Sequence, residues 1–240
     1  MPSLSVLMIP CPVCGTTNDE LQTVCVQCGS FLQGRVDALN LFETVWGLVE
    51  SPHRTFKKIV LSKHKNYVLL LSVLFGIGLM FDIFWAKRLG DVIGNLLTLT
   101  GLALIVGPLA GIVTTFLVSL ALQVSTRLWD GRATLRNMYA ACSYALSPMA
   151  VSLFVVVPLE IAAFGVHFFG TNPPPMLIKP TAYVLILVLK AVFTVYAVYL
   201  LVAGTMAANG FARNKMLPVV ASVVLVVAAG GATLHLVNVR

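Results

Sequence analysis

Charged residues are scarce in this chain of 240 amino acids. Asp, Glu, Lys and Arg together make up 10% of it, whereas soluble domains carry roughly 25%. Hydrophobic residues account for 58%, and the mean hydropathy is +0.93. A water-soluble domain does not have this composition, so the chain is expected to be a membrane protein.

Sequence motifs that carry a catalytic mechanism are missing as well. The four histidines are scattered and none belongs to an HExxH pair, no GxSxG elbow is present, and no GxxxxGK[ST] loop could bind nucleotide phosphates. These absences argue against an intramembrane metalloprotease, an ATPase and a GTPase. The chain is therefore predicted not to be an enzyme.

Cysteines are few, but four of the five form a regular pattern near the N-terminus. Cys11, Cys14, Cys25 and Cys28 make two C-x-x-C-G knuckles. The two-residue spacing lets both sulfurs of a knuckle reach one Zn²⁺ at ~2.3 Å, and the following glycine permits a tight turn. A redox pair would need only one such motif. We therefore predict a zinc-ribbon head at residues 1–34 that is folded by one structural zinc ion.

The charge of this head indicates what it binds. Up to Val36 its ionised side chains are Asp19, Glu20 and Arg35, and four thiolates on zinc add negative charge, so the head should repel phosphate rather than bind nucleic acid. The first ten residues lack the features of a cleaved signal peptide. The head is expected to lie in the reducing cytoplasm, where it either binds an unidentified protein partner or simply folds on its own.

Residues 35–66 are predicted to form amphipathic juxtamembrane helices. The first covers Asp37 to Glu50, and the second begins with Ser51 as N-cap and Pro52 at the first helical position. Aromatic and aliphatic residues opposite a basic face suit the headgroup region of a bilayer. A connector packed on the bundle explains the pattern equally well. The apolar positions of the first helix are Leu39, Phe42, Val45, Trp46 and Val49.

Residues 67–240 contain five apolar runs, each long enough to cross a bilayer, and a five-transmembrane-helix bundle is predicted. Lys and Arg are concentrated before the first run and after the second and fourth, which by the positive-inside rule places the N-terminus in the cytoplasm and the C-terminus on the opposite side. The surplus of positive charge needs no nucleic-acid partner. The runs are Val68 to Ala86, Leu96 to Leu122, Tyr139 to Phe168, Thr181 to Ala207 and Leu217 to Val237.

The third and fourth runs each contain one charged residue, Glu160 and Lys190. A charge in hydrocarbon needs a partner, a cavity or a proton, and the two residues lie at similar depths from the outer ends of their runs, so we predict an intramembrane ion pair. Asp82 is either a third member or reaches the headgroups. In the second run, Gly107 and Gly111 lie in GxxxG register, which predicts close contact with another helix, more readily within the chain than in a dimer.

Two stretches carry a resemblance to a known family. WGLVESPHRTFKKI precedes the first run, and DGRATLRNMYAACSYALSPMAV leads into the third. Together with the five-run layout they resemble the Yip family, the Ypt/Rab-interacting five-helix membrane proteins, in a prokaryotic-type member extended by a zinc ribbon. The resemblance implies a cytoplasmic N-terminus; eukaryotic members bind small GTPases in vesicle traffic. The matching positions are Ser51, Pro52, Phe56, Lys57 and Lys58 in the first stretch and Gly131, Tyr144 and Pro148 in the second.

Two functions remain open from the sequence. One is an integral membrane scaffold or adaptor of the Yip type, in membrane organisation or trafficking, with the zinc head for protein interaction. The other is a small transporter or channel-like protein that uses Glu160 and Lys190. The lipid bilayer is a partner in both, and a homo-oligomer is compatible with both.

Overall fold

The chain is mainly helical throughout the residues described by the computed structural model, 8–19, 22–32, 39–62 and 64–236. Outside the helices, a two-stranded antiparallel hairpin, β1 (Ile9–Pro10) and β2 (Thr17–Asn18), begins the head. Two 3₁₀ turns cover Gly165–Phe169 and Arg213–Lys215. The helices are α1 (Leu41–Glu50), α2 (Pro52–Leu61), α3 (Val68–Ala86), α4 (Leu89–Ile93), α5 (Leu96–Arg127), α6 (Leu135–Ala145), α7 (Ser147–Phe164), α8 (Pro175–Ile178), α9 (Pro180–Asn209) and α10 (Met216–Leu236).

Four segments of the described residues are long and apolar enough to cross a membrane, with mean hydropathies of 2.2 to 2.4. They are α3, α5, the combined segment Leu135–Phe169 and α9. The protein is therefore a multi-pass integral membrane protein. Helix α10 is also apolar, but its described apolar stretch, Met216–Ala232, is shorter. The fifth span, predicted to end at Val237 outside the described residues, stays a prediction.

The third predicted span is broken near its start. Helix α6 ends at Ala145, Leu146 caps it, and α7 starts at Ser147 with Pro148 in its first turn. Proline has no N–H to donate to the preceding turn and its ring clashes with that turn, so a continuous helix is interrupted here. Pro158, by contrast, lies inside α7 without ending it.

Helices α3 and α5 touch backbone to backbone at glycines. A Cβ atom placed on Gly76 would lie 2.1 Å from the carbonyl oxygen of Gly107, and one on Gly111 would lie 2.0 Å from the carbonyl oxygen of Ser72. Small residues allow this approach, which is how helices associate in lipid. The close contact predicted at Gly107 and Gly111 is thus made within the chain, against α3.

The juxtamembrane helices form a hairpin, residues 41–61, that packs on α9 and α6. Helix α1 begins at Leu41 because Asn40 caps it, its side chain accepting from the N–H groups of Phe42 and Glu43 at 3.1 and 3.4 Å. The predicted start at Asp37 lies outside the described residues.

Two hydrophobic clusters fill the bundle, one at each end. We call the end where α3 begins and α9 ends the head end, and the opposite end the far end. The head-end cluster gathers side chains of α2, α3, α6 and α9 around the fully buried Tyr144. The far-end cluster is rich in phenylalanine, and there the Asp91 carboxylate after α3 accepts from the Thr171 N–H at 2.8 Å. Its aromatic members include Phe81, Phe84, Phe164, Phe168 and Phe169.

Candidate metal centre and intramembrane charge cluster

The two cysteine knuckles of the head have the same backbone geometry. In the first, the N–H of Gly15 donates to the carbonyl of Cys11 at 2.9 Å, and in the second the N–H of Gly29 donates to the carbonyl of Cys25 at 3.1 Å. Both glycines have positive φ, 72° and 69°, a conformation that glycine adopts without strain. The sequence C-x-x-C-G thus closes each turn so that its two thiols point to the same side.

The four sulfur atoms form one compact cluster. Cys11 and Cys28 approach to 3.5 Å between sulfurs, as do Cys14 and Cys25, and all four ligand atoms lie within 4.8 Å of one another. A tetrahedral zinc site with bonds of ~2.3 Å needs sulfur separations of ~3.8 Å. All four are free cysteines. The donor set therefore fits a zinc ion.

The surroundings favour the thiolate at Cys11 and Cys25. Hydrogen bonds with Thr16 act in the same direction at Cys14, but burial and the neighbouring Cys28 and Cys25 raise the pKa of that thiol. The Ser30 hydroxyl lies 3.0 Å from the sulfurs of both Cys11 and Cys28. Its hydrogen bond lowers the pKa of Cys11 to about 6, and the backbone N–H of Cys28 lowers the pKa of Cys25. Thiolate is the form that binds metal. Cys11, Cys14, Cys25 and Cys28 would hold the ion, whose contribution is to close the fold of the head.

The charged residues of the spans also meet. The Nζ atom of Lys190 lies 2.7 Å from Oε1 of Glu160 and 2.6 Å from Oδ1 of Asp82. The three residues come from α9, α7 and α3, so Lys190 joins three helices. Asp82, which the sequence left undecided, is a member of the cluster. With all three groups ionised, the set carries one excess negative charge.

The burial of the cluster is graded. The Glu160 side chain is 0% exposed, Lys190 is 18% exposed and Asp82 is 30% exposed. The Lys190 ammonium also lies 5.5 Å from the ring centres of Trp85 and Phe168, an arrangement that stabilises a desolvated cation. The second oxygen of Glu160 and the indole N–H of Trp85 have no hydrogen-bond partner within the described chain.

A cavity of 490 Å³ adjoins this cluster between α3, α7 and α9. Its size falls in the range of small-ligand sites. Asp82 and Lys190 form part of its wall, together with Trp85 and the hydroxyl-bearing residues Ser152 and Thr194. The rest of the wall is largely apolar. Glu160 lies behind Lys190 and does not line the cavity.

Polar contacts at the head end fix the loops between spans. The buried Tyr144 hydroxyl donates to the carbonyl of Asn66 at 2.7 Å. Gly131 packs so closely that a Cβ atom would lie 2.6 Å from Oδ1 of Asn209, and that oxygen accepts from the N–H of Ala133 at 3.1 Å. The α5–α6 loop is thereby attached to the end of α9.

Lys65 lies in the loop between α2 and α3 and caps the end of α2. Its ammonium donates to the carbonyls of Ile59 and Val60 at 2.7 and 3.0 Å, the position at which a cation satisfies the last turn of a helix. Burial, with a further contribution from the charge of Arg136, lowers the pKa of Lys65 to about 8. The group is therefore still protonated at neutral pH.

Comparison with known families identifies the family to which the membrane part of the chain belongs. The model of a family described as Yip1 domain matches residues 46–234. The chain belongs to the Yip1 family. Searches of curated proteins and of solved structures gave no significant match. The matched Yip1 domain begins within α1 and includes the charge cluster, while the cysteine head precedes it.

The residues by which the two sequence stretches resemble the family have structural roles in the Yip1 domain. Phe56 is fully buried in the head-end cluster, Tyr144 holds the segment before α3, and Pro148 starts α7. The sequence did not reveal Asn209 as the residue that binds the α5–α6 loop. The available signal was a polar residue at the end of a long apolar run, followed by a glycine, Gly210, that ends the helix.

Proposed function

We propose that this Yip1-family protein is a membrane scaffold or adaptor, of the prokaryotic type, whose zinc-ribbon head binds a protein partner in the cytoplasm. The observation that carries the proposal is the four-cysteine cluster at residues 11–28, within 4.8 Å, attached to a Yip1 domain at residues 46–234. A small metal-folded module outside a membrane domain is suited to protein interaction. We assign residues 1–34 to this zinc ribbon, 35–66 to the juxtamembrane hairpin and its flanks, and 67–240 to a five-helix membrane domain.

The test is crosslinking and affinity capture from native membranes. Three forms are compared: the full chain, a chain lacking residues 1–34, and Cys25→Ser with Cys28→Ser, which disrupts the head without shortening it. Cys142→Ser is the control, because Cys142 is buried in the bundle away from the head. The proposal expects the same partners to be lost from both head variants and kept by the control. Unchanged partners in all forms would remove the adaptor role of the head.

The cavity beside Lys190 favours a second candidate, a small transporter or channel-like protein. Its wall carries Asp82 and Lys190, and intramembrane charges at a cavity mark ion and substrate pathways. Proteoliposomes with an enclosed pH-sensitive dye and an imposed potential test proton flux directly. Transport predicts a flux that Asp82→Asn abolishes in a protein that still folds. A static cluster predicts no flux above that of empty liposomes.

A further inference from the structure

Helix α1 turns its most hydrophobic side chains away from the protein. Phe42, Trp46 and Val49 are 85%, 65% and 59% exposed, and their spacing of four and three residues places them on one face. The opposite face, with Thr44 and Leu48, is buried against the bundle. Such a row on a soluble surface would be an unfavourable exposure of apolar area.

The hairpin of α1 and α2 is firmly attached along α9. Phe56 and Ile59 of α2 are fully buried, and Phe56 lies so close to Gly204 that a Cβ atom there would come within 3.0 Å of its ring. The Tyr196 hydroxyl donates to the carbonyl of Leu48 at 2.9 Å. These contacts fix the position of the hairpin along α9.

That position lies within the thickness of a bilayer. Helix α9 has 30 residues, or about 45 Å at ~1.5 Å per residue, close to the ~40 to 45 Å of hydrocarbon and headgroup regions together. Tyr196 precedes Asn209, the last residue of α9, by about 20 Å measured in the same way. Leu48, held by Tyr196, therefore lies beside the membrane-spanning part of α9 at the head end. Helix α1 descends from the surface to this level, and α2 returns towards the surface.

The polar groups of the hairpin suit the boundary of that leaflet. The indole N–H of Trp46 donates to Glu50 at 2.7 Å, and Lys58 pairs with Glu43 at 2.5 Å. These contacts satisfy polar atoms that would otherwise face lipid. Cations outnumber anions along the segment that contains the hairpin, which favours acidic headgroups. Residues 39–66 carry Arg54, Lys57, Lys58, Lys63 and Lys65 against Glu43 and Glu50.

We propose that the α1–α2 hairpin is inserted into a single leaflet, the one at the head end, with Phe42, Trp46 and Val49 in contact with the upper acyl chains of acidic lipids. The hairpin enters and leaves on the same side, so it is a re-entrant element and adds no span. This inference does not depend on the zinc head or on transport.

The depth of Trp46 tests the proposal. A protein with Trp46 as its only tryptophan, made by Trp85→Phe and Trp129→Phe, is placed in nanodiscs of phosphatidylcholine and phosphatidylglycerol. Its emission is then measured with lipids brominated at shallow or deep acyl positions, and with aqueous iodide. The matched control retains only Trp129, which lies in the α5–α6 loop and is 42% exposed.

Insertion predicts blue-shifted Trp46 emission, strongest quenching by shallow bromines, and iodide quenching at least about threefold weaker than for Trp129. Red-shifted emission with iodide quenching equal to that of Trp129 would overturn the proposal by placing the face in water. Blue-shifted emission without bromine quenching would overturn it by placing a protein surface on the face. If the double substitution is not recovered folded, the difference between the unsubstituted protein and Trp46→Phe gives the same readings.

Discussion

At the scale of single residues, Lys190 is the side chain on which most depends, because it pairs with two carboxylates inside the bundle. Replacing it by methionine leaves Glu160 fully buried and unpaired. Removal of one partner from a buried ion pair costs ~3 to 5 kcal/mol. We expect Lys190→Met to be the most destabilising single change in the cluster, measured by thermal unfolding in detergent.

Glu160→Gln should cost less, since Lys190 keeps Asp82 at 2.6 Å and the set becomes neutral. The triple variant with Asp82→Asn, Glu160→Gln and Lys190→Met should recover most of the stability lost in Lys190→Met, as no unpaired charge is left. Strictly additive losses across these variants would show that the three side chains do not interact.

The zinc ligands give a second prediction at this scale. Protein purified without chelator should contain about one zinc per chain, because four thiolates complete one tetrahedral shell. Cys25→Ser with Cys28→Ser should lose the metal, while Cys142→Ser should keep it. Elemental analysis measures the ratio, and metal-free protein with an intact head would show that the cysteines serve another purpose.

The role of a residue could be predicted from the sequence where its position follows from spacing along the chain. It could not be predicted where the position depends on how helices pack. The four cysteines lie close together in the sequence, within residues 11–28, and their turns follow from C-x-x-C-G. The depths of Glu160 and Lys190 follow from counting residues along two helices. Asp82 could not be assigned in this way, because whether it faces Lys190 or the headgroups depends on the rotation of α3 about its axis, which glycine contacts with α5 determine.

At the scale of elements, the close contact of α3 and α5 can be tested by the stability of glycine variants in α5. Gly111→Ala should destabilise the protein by ~1 to 3 kcal/mol, because its Cβ atom would meet a backbone carbonyl that cannot move aside. Gly101→Ala, also in α5, has no atom within 4 Å of the new Cβ and should be neutral or slightly stabilising. Thermal unfolding of the two variants measures the difference. Equal losses of stability would show that α3 and α5 are not in close contact at Gly111.

The elements show where apolar periodicity fails as a guide. The row of Phe42, Trp46 and Val49 predicted the helix correctly but not what it faces, because lipid and protein interior are equally apolar. The ends of α5 and α9 extend past the predicted Leu122 and Ala207 to Arg127 and Asn209. Backbone hydrogen bonding continues into polar residues where hydropathy has already fallen.

At the scale of the whole molecule, the number of spans is predicted from the apolar runs and the sidedness from the distribution of Lys and Arg. Fusions after Asn214 and after Arg240, with either a green fluorescent protein or a periplasmic phosphatase in a bacterial host, test both. Five spans with a cytoplasmic N-terminus predict fluorescence from the first site and phosphatase activity from the second. Fluorescence from both sites would mean that α10 does not cross the membrane.

The backbone contact of α3 and α5 limits how this bundle can deform. Because backbone packs directly on backbone at their glycines, the two helices are expected to move together as one rigid block. We therefore expect any relative motion of the bundle to be a shear of α7 and α9 along their seam with this block. Lys190 on α9 crosses that seam to Asp82 on the block, and it also pairs with Glu160 on α7. Loss of the charge on the Lys190 Nζ atom would therefore remove both ion pairs that join α9 to the α3–α5 block and to α7.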